Sequence, residues 1–122
     1  MVLVDTSIWI SLYRKGNAEI GEKLWALAAA NQAAVCGQVW VEFLGGFRRV
    51  SERREHATSL KSFPFLLSEK RAFEMAANLL ADHPQMGPGD AIIAATAIAT
   101  NSVLFTLDKG FRAFESKGLR LY

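Results

Sequence analysis

Residues 89–111 read GDAIIAATAIATNSVLFTLDKGF. An acid follows a Gly-Pro-Gly break, a run of alanines and isoleucines comes next, and a short apolar segment then leads to another acid. Asp90 is read as opening a helix over AIIAATAIATN. That helix is apolar almost all round, so it should be central and buried, with alanines small enough to approach a sheet closely. Val103 to Thr106 reads as a buried strand, and Asp108 stands just past its end.

The rest of the chain repeats this alternation. Val2 to Val4 is a short apolar strand ending at Asp5; TSIWISLYRKG is a helix stopped at Gly16; Asn17 caps AEIGEKLWALAAANQ, with Ile20, Leu24 and Leu27 on one face and Glu19 four residues before Lys23. Ala33 to Cys36 is a second strand, and Gln38 to Val50 a helix weakened by Gly45 and Gly46. Ser51 begins a polar helical stretch, SERREHATSLKS. Phe63 to Leu67 contains Pro64, which places this third strand near a sheet edge because proline cannot donate to a ladder. Ser68 is expected to cap a helix carrying Phe73, Ala76, Ala77 and Leu80 at helical spacing, and HPQMGPG breaks it. KGFRAFESKG reads as a short amphipathic helix and Leu119 to Leu121 as a last strand. Short apolar strands alternating with helices predict an α/β fold with a mostly parallel sheet of about five strands. In such sheets ligands bind outside the carboxyl ends of strands, which singles out Asp5 and Asp108.

Length and composition narrow the field. The 122 residues make one domain, 1–122, with no repeat, linker or composition break, and 51% hydrophobic residues exclude a disordered chain. The single cysteine, Cys36, rules out an intramolecular disulfide and a cysteine-built zinc site, and is expected to be an inert buried thiol. No apolar run is long enough to span a membrane, and Asp5 interrupts an N-terminal stretch that no basic segment precedes, so a cytoplasmic domain is expected. Fourteen Lys and Arg against twelve Asp and Glu give a net charge of +2, a weak pointer to an anionic partner.

Taken singly, Asp5, Asp90 and Asp108 could each be a helix cap. Glu42 is harder to dismiss, because it lies inside VWVEFLGGF among bulky apolar residues, where an unpaired carboxylate is costly to bury. Its ordinary explanation is an ion pair with Arg48, Arg49, Arg53 or Arg54, or a side chain that reaches solvent. Together the four acids suggest something else. Carboxylates gathered at one point repel, and such a cluster persists mainly when cations fill it. An oxygen-only set without His or Cys selects a hard ion, Mg²⁺ or Mn²⁺, whose open positions suit hydrolysis of a phosphodiester.

At these residues the sequence resembles the PIN domain, in particular the VapC-type toxin ribonucleases of bacterial toxin–antitoxin pairs. DTSIWI resembles the family's opening strand and first acid, Asp5; VWVEFLGGF its glutamate helix, with Glu42; and residues 89–111 its third and fourth acids, Asp90 and Asp108. The resemblance also implies supporting hydroxyls at Thr6, Ser7 and Thr106. It implies a three-layer α/β/α sandwich, usually a homodimer, and a Mg²⁺-dependent endoribonuclease that cuts RNA. A cognate VapB-type antitoxin would inhibit it by laying a tail across the active-site groove. On this reading Asp5, Asp90 and Asp108 hold metal, while Glu42 holds a second ion or orients the attacking water.

If four acids are engaged, fourteen basic residues face eight remaining acids, a balance of +6. Arg48, Arg49, Lys109 and Arg112 flank the candidate acids and could hold RNA phosphates; for the RRVSERRE run the alternative is a solvated face laced with Glu52 and Glu55. Trp9, Trp40, Phe43 and Phe47 are expected mostly in the core. His56 and His83 are expected at the surface or in turns, and Met75 and Met86 carry no signal. The competing account is a non-enzymatic α/β RNA-binding or protein-interaction module whose acids are only caps. Phosphatase and receiver sites are disfavoured, since Ser7 stands where the former needs a second Asp and no acidic pair follows the first strand.

Overall fold

Five short strands form one parallel sheet in a computed structural model that describes residues 1–122: β1 (Val2–Val4), β2 (Ala33–Cys36), β3 (Phe65–Leu66), β4 (Val103–Phe105) and β5 (Arg120–Leu121), in the order β3-β2-β1-β4-β5. β1 and β2 are buried along their whole length, as the apolar runs VLV and AAVC require of strands covered on both faces. Six helices connect them: α1 (Thr6–Lys15), α2 (Ala18–Ala29), α3 (Gly37–Gly45), α4 (Val50–Lys61), α5 (Lys70–Asp82) and α6 (Gly87–Ala99). A 3₁₀ helix, Lys109–Lys117, joins β4 to β5.

The strand order explains the layering. From β1 the chain steps to β2 and then β3 in one direction, returns past both to β4, and moves on to β5 in the other. Right-handed crossovers then put α1 to α4 on one face and α5, α6 and the closing 3₁₀ helix on the opposite face. Packing agrees, with α5 lying mainly on α6 while α1 meets α2 and α3, and α3 meets α4. The result is the expected three-layer α/β/α arrangement. Its core joins strand residues such as Leu3, Val35 and Leu104 to Ile8, Leu24, Val39, Ile93, Phe111 and Phe114; each large side chain buried this way contributes about 1.5–3 kcal/mol.

Local signals act as anticipated at several points. Asn17 Oδ1 accepts from the Ile20 amide at 3.2 Å, and Gly16, with φ at 56°, ends α1 in a conformation that favours glycine. β3 sits at the sheet edge, shortened to two residues behind Pro64. Other boundaries differ from expectation. The helix anticipated over Gln38 to Val50 stops at Gly45, because the Gly45-Gly46 pair weakens it, and α4 restarts at Val50. Ser68 does not cap α5. Glu69 occupies that position without a side-chain bond, while Ser68 Oγ lies 2.7 Å from Thr96 Oγ1 and ties the start of α5 to α6. α6 starts three residues before Asp90, with Pro88 in its first turn, where a missing amide hydrogen costs nothing. Trp9, Phe43 and Phe47 are buried as expected. His56 is not a plain surface histidine: it stacks on Phe47 at 4.4 Å, with Tyr13 and Phe43 edge-on. His83 ends α5 and packs edge-on against Phe114. No helix is long and apolar enough to cross a membrane.

Candidate active site

Register brings the first acid and the fourth together. Val4 pairs with Phe105, and the Asp5 amide donates to the Phe105 carbonyl at 2.9 Å, so Asp5 leaves β1 level with Thr106. Between β1 and β4 the direction of the crossovers reverses, and in an open parallel sheet that is where a crevice forms at the carboxyl edge. α3 and α6, which carry Glu42 and Asp90 respectively, pack against each other, and Gly89 beside Asp90 lies against Glu42.

Asp5 is almost fully buried, 4% exposed, and its Oδ2 accepts from Ser7 Oγ and Thr106 Oγ1, both at 2.7 Å. Ser7 Oγ in turn accepts from the Leu107 amide and Thr106 Oγ1 from the Asp108 amide, each at 3.0 Å. The two hydroxyls therefore stitch the end of β1 to the loop after β4. Burial pushes the Asp5 carboxyl above its usual value, and the bonds from Ser7 and Thr106 oppose that rise. No side chain donates to Oδ1. Asp5 also caps α1, accepting from the Ser7 amide at 3.4 Å, so capping and site formation are both true of it.

Glu42 is held on both oxygens. Thr6 Oγ1 donates to Oε1 at 2.7 Å and Gln38 Nε2 to Oε2 at 2.8 Å. The ion pair anticipated with a neighbouring arginine is absent: Arg49 reaches Glu52 at 3.8 Å, and Arg53 donates to the Phe47 carbonyl. Gly89 passes so near that a Cβ there would fall on Glu42 Oε2. Gln38 and Gly89 were not among the residues singled out from sequence. A usable signal existed for Gln38, four residues before Glu42 on one helix face; nothing marked Gly89 except its place beside Asp90.

Asp90 is half-buried in the first turn of α6 and accepts no hydrogen bond, which removes its explanation as a cap. Its carboxyl is pushed up to about 6 by burial first, then by the charges of Asp5, Asp108 and Glu42. The charges of the other three acids therefore all reach Asp90. Asp108 is exposed and caps the closing 3₁₀ helix, its Oδ1 accepting from the Gly110 amide at 2.8 Å. Met86 lies against this turn, since a Cβ on Gly110 would come within 2.9 Å of its Sδ. Cys36, level with Asp5 at the end of β2, is buried, and its thiol is raised by burial and then by the charges of Glu42 and Asp5.

No lysine or arginine pairs with any of the four acids. Nor do three acidic, histidine or cysteine side chains close into a ready-made ion cage. The donors are all hard oxygens, and Mg²⁺ is typically held by one or two carboxylates with water filling its other positions. A loose carboxylate cluster without basic partners fits that ion. Lys109 and Arg112 are exposed beside Asp108, and Arg48 is exposed past the end of α3.

A search of curated protein sequences finds no match. Solved structures do match. A toxin–antitoxin complex from Klebsiella pneumoniae is 27% identical, with a TM-score of 0.77 over 91% of this chain and 90% of that one. VapBC2 from Rickettsia felis, bound to a DNA fragment from its promoter, is 21% identical, with a TM-score of 0.80 over 100% and 98%. VapC20 from Mycobacterium tuberculosis, a sarcin–ricin loop cleaving toxin, is 22% identical, with a TM-score of 0.71 over 98% and 96%. The PIN domain family model matches residues 2–117. With the carboxyl-edge crevice, the acids around it and a match across nearly its whole length, this chain belongs to the PIN domain family.

Proposed function

We propose that this protein is a divalent-metal-dependent endoribonuclease, the toxin of a type II toxin–antitoxin pair, inhibited by a VapB-type antitoxin and working as a homodimer. The observation that carries the reading is that the charges of Asp5, Asp108 and Glu42 all bear on half-buried Asp90, with no lysine or arginine paired to any of the four. Acids that were only helix caps would have no reason to share a field. The toxin–antitoxin description of the Klebsiella relative supports the partner, and the loop-cleaving description of VapC20 supports nucleolysis.

Asp5, Asp90 and Asp108 would hold Mg²⁺ or Mn²⁺ directly or through water, and Glu42 would hold a second ion or orient the attacking water. When bound, such an ion acidifies water toward neutral pH and offsets charge on phosphate oxygens. The chain's own residues supply the positioning. Ser7 and Thr106 fix Asp5 through Oδ2, while Thr6 and Gln38 fix both oxygens of Glu42, so the carboxylates need little reorganisation when substrate arrives. Lys109 and Arg112, beside Asp108, would hold RNA phosphates. No covalent nucleophile is required.

The test is incubation of the purified chain with total RNA in EDTA, in Mg²⁺ and in Mn²⁺, beside Asp90→Asn. Cleavage is expected with metal, none with chelator, and a loss of roughly 100-fold or more in the variant, as removal of charge stabilisation predicts. Cleavage unaffected by both EDTA and Asp90→Asn would exclude the reading.

A further inference from the structure

A groove of about 250 Å³ opens directly beside Glu42, between α1 and the end of α3, with Tyr13, Arg14, Phe47, Arg48 and Arg49 around it. Its arginines are not equivalent. Arg49 is occupied by Glu52, whereas Arg14 and Arg48 are exposed and make neither an ion pair nor a side-chain hydrogen bond. Two uncompensated guanidiniums at the rim of an otherwise acidic site favour an anionic ligand that extends past the acids.

The aromatic floor is equally specific. Tyr13 is 48% exposed, yet its ring packs at a steep angle against Phe47 and His56, each at 4.9 Å. Its hydroxyl donates to Glu52 Oε2 at 3.3 Å, the same carboxylate that engages Arg49. Phe47 and His56 in turn stack on each other. A half-open ring already immobilised by its neighbours can accept a flat partner with little further loss of side-chain freedom. An aromatic platform beside free guanidiniums is what single-stranded nucleic acid uses, its bases stacking and its phosphates taking the cations.

We propose that this groove is a nucleotide subsite next to the cleavage point, where Tyr13 stacks one unpaired RNA base and Arg14 and Arg48 hold the adjoining phosphates. The proposal rests on the ribonuclease reading, since Glu42 is the wall shared by groove and crevice. Arg14 and Tyr13, on α1, thereby join the substrate-binding set.

The test measures binding of a fluorescently labelled single-stranded RNA oligonucleotide to the full chain carrying Asp90→Asn, across a range of salt, with melting curves for each variant. Arg14→Gln and Arg48→Gln should each weaken binding and lower the slope of log Kd against log salt by about 0.7, the value for one phosphate on a single strand. Tyr13→Leu should weaken binding roughly 5- to 150-fold with the slope unchanged, the range of base–aromatic stacking. Tyr13→Phe keeps the ring and should bind like the parent, which separates stacking from any loss of fold. Lys70→Gln, an exposed charge at the start of α5, should do nothing. Parent-like binding by the Tyr13→Leu and arginine variants overturns the subsite while leaving ribonuclease activity to stand on its own assay. Loss of antitoxin binding with RNA affinity intact would make the groove a protein site and also overturn it. If the parent binds no RNA and the wild type cleaves none, both readings fall together.

Discussion

Asp90→Asn should make the protein more stable. Asp90 accepts no hydrogen bond and caps nothing, so asparagine removes the charge without removing a contact. Its carboxyl stands at about 6 in the fold against 3.8 for the ordinary group, with burial the larger cause and the charges of Asp5, Asp108 and Glu42 the rest. Between those two values the folded chain binds more protons than the unfolded one, so stability is present at low pH and lost as pH rises through about 6. At full strength the interval corresponds to about 3 kcal/mol. Asp90 is partly open to water, and screening reduces this to about 1–2 kcal/mol. Its first-turn position works the other way, because the helix dipole favours a carboxylate there by ~0.3–1 kcal/mol. A net gain of about 1 kcal/mol remains, equivalent to a rise in Tm of about 4 °C for a chain of this length.

The assay is thermal unfolding in chelator, followed by circular dichroism. The gap between variant and wild type should be full at pH 7.5 and shrink to about a third at pH 4.5, where most unfolded but few folded chains carry the charge. Adding millimolar Mg²⁺ at pH 7.5 should then raise the wild type by ligand linkage and raise the variant less. A variant less stable than wild type at pH 7.5, or a gap of equal size at both pH values, would refute the reasoning, because either result means that the Asp90 charge is not held in a repulsive cluster.

Two further substitutions test how the acids are held. Thr106→Val removes a donor from buried Asp5 and should cost about 1–3 kcal/mol in urea unfolding, with Thr106→Ser recovering most of it. Gly89→Ala places a Cβ on Glu42 Oε2 and should destabilise by ~1–3 kcal/mol while reducing RNA cleavage; Gly45→Ala, where a Cβ meets nothing within 4 Å, should be neutral or slightly stabilising.

The sheet was legible because its inner strands are short apolar runs with an unambiguous stop, and Ala33–Cys36 and Val2–Val4 match their expected bounds, whereas β5, expected over Leu119 to Leu121, starts at Arg120. Asp5 was legible for the same reason: an acid closing a buried strand has few places to go. Asp90 was found with the wrong local account. GPG reads as a loop, but Pro88 fits a first helical turn, so the helix begins earlier and Asp90 lies inside it rather than at its cap. The arginine pairing considered for Glu42 failed on direction. α3 ends at the glycine pair, and Arg49 and Arg53 are turned to Glu52 and the Phe47 carbonyl instead. The contact between Tyr13 and His56 was not legible because they are separated by 43 positions and carry no motif, and their meeting depends on how α1 and α4 pack. Contacts between helices of this kind are set by three-dimensional packing, which helical periodicity alone does not encode.

The arrangement of donors shows how the fold accommodates its own repulsion. Asp5, the deepest of the four, receives two hydroxyl bonds; Glu42 receives two side-chain donors; Asp108, at the surface, takes one backbone amide; and Asp90 has none. The acids that are held are thus held by neutral donors, which fix geometry without cancelling charge. Had the fold used arginines, the cluster would be more stable and much less able to bind a cation, since an incoming ion would have to displace a partner already present. Leaving Asp90 without donors concentrates the remaining instability on one group, the one whose proton is lost near neutral pH. This predicts that double replacement of Asp5 and Asp90 by asparagine stabilises the chelated protein by less than twice the Asp90 effect, because Asp5→Asn also turns the charge-assisted bonds from Ser7 and Thr106 into weaker neutral ones.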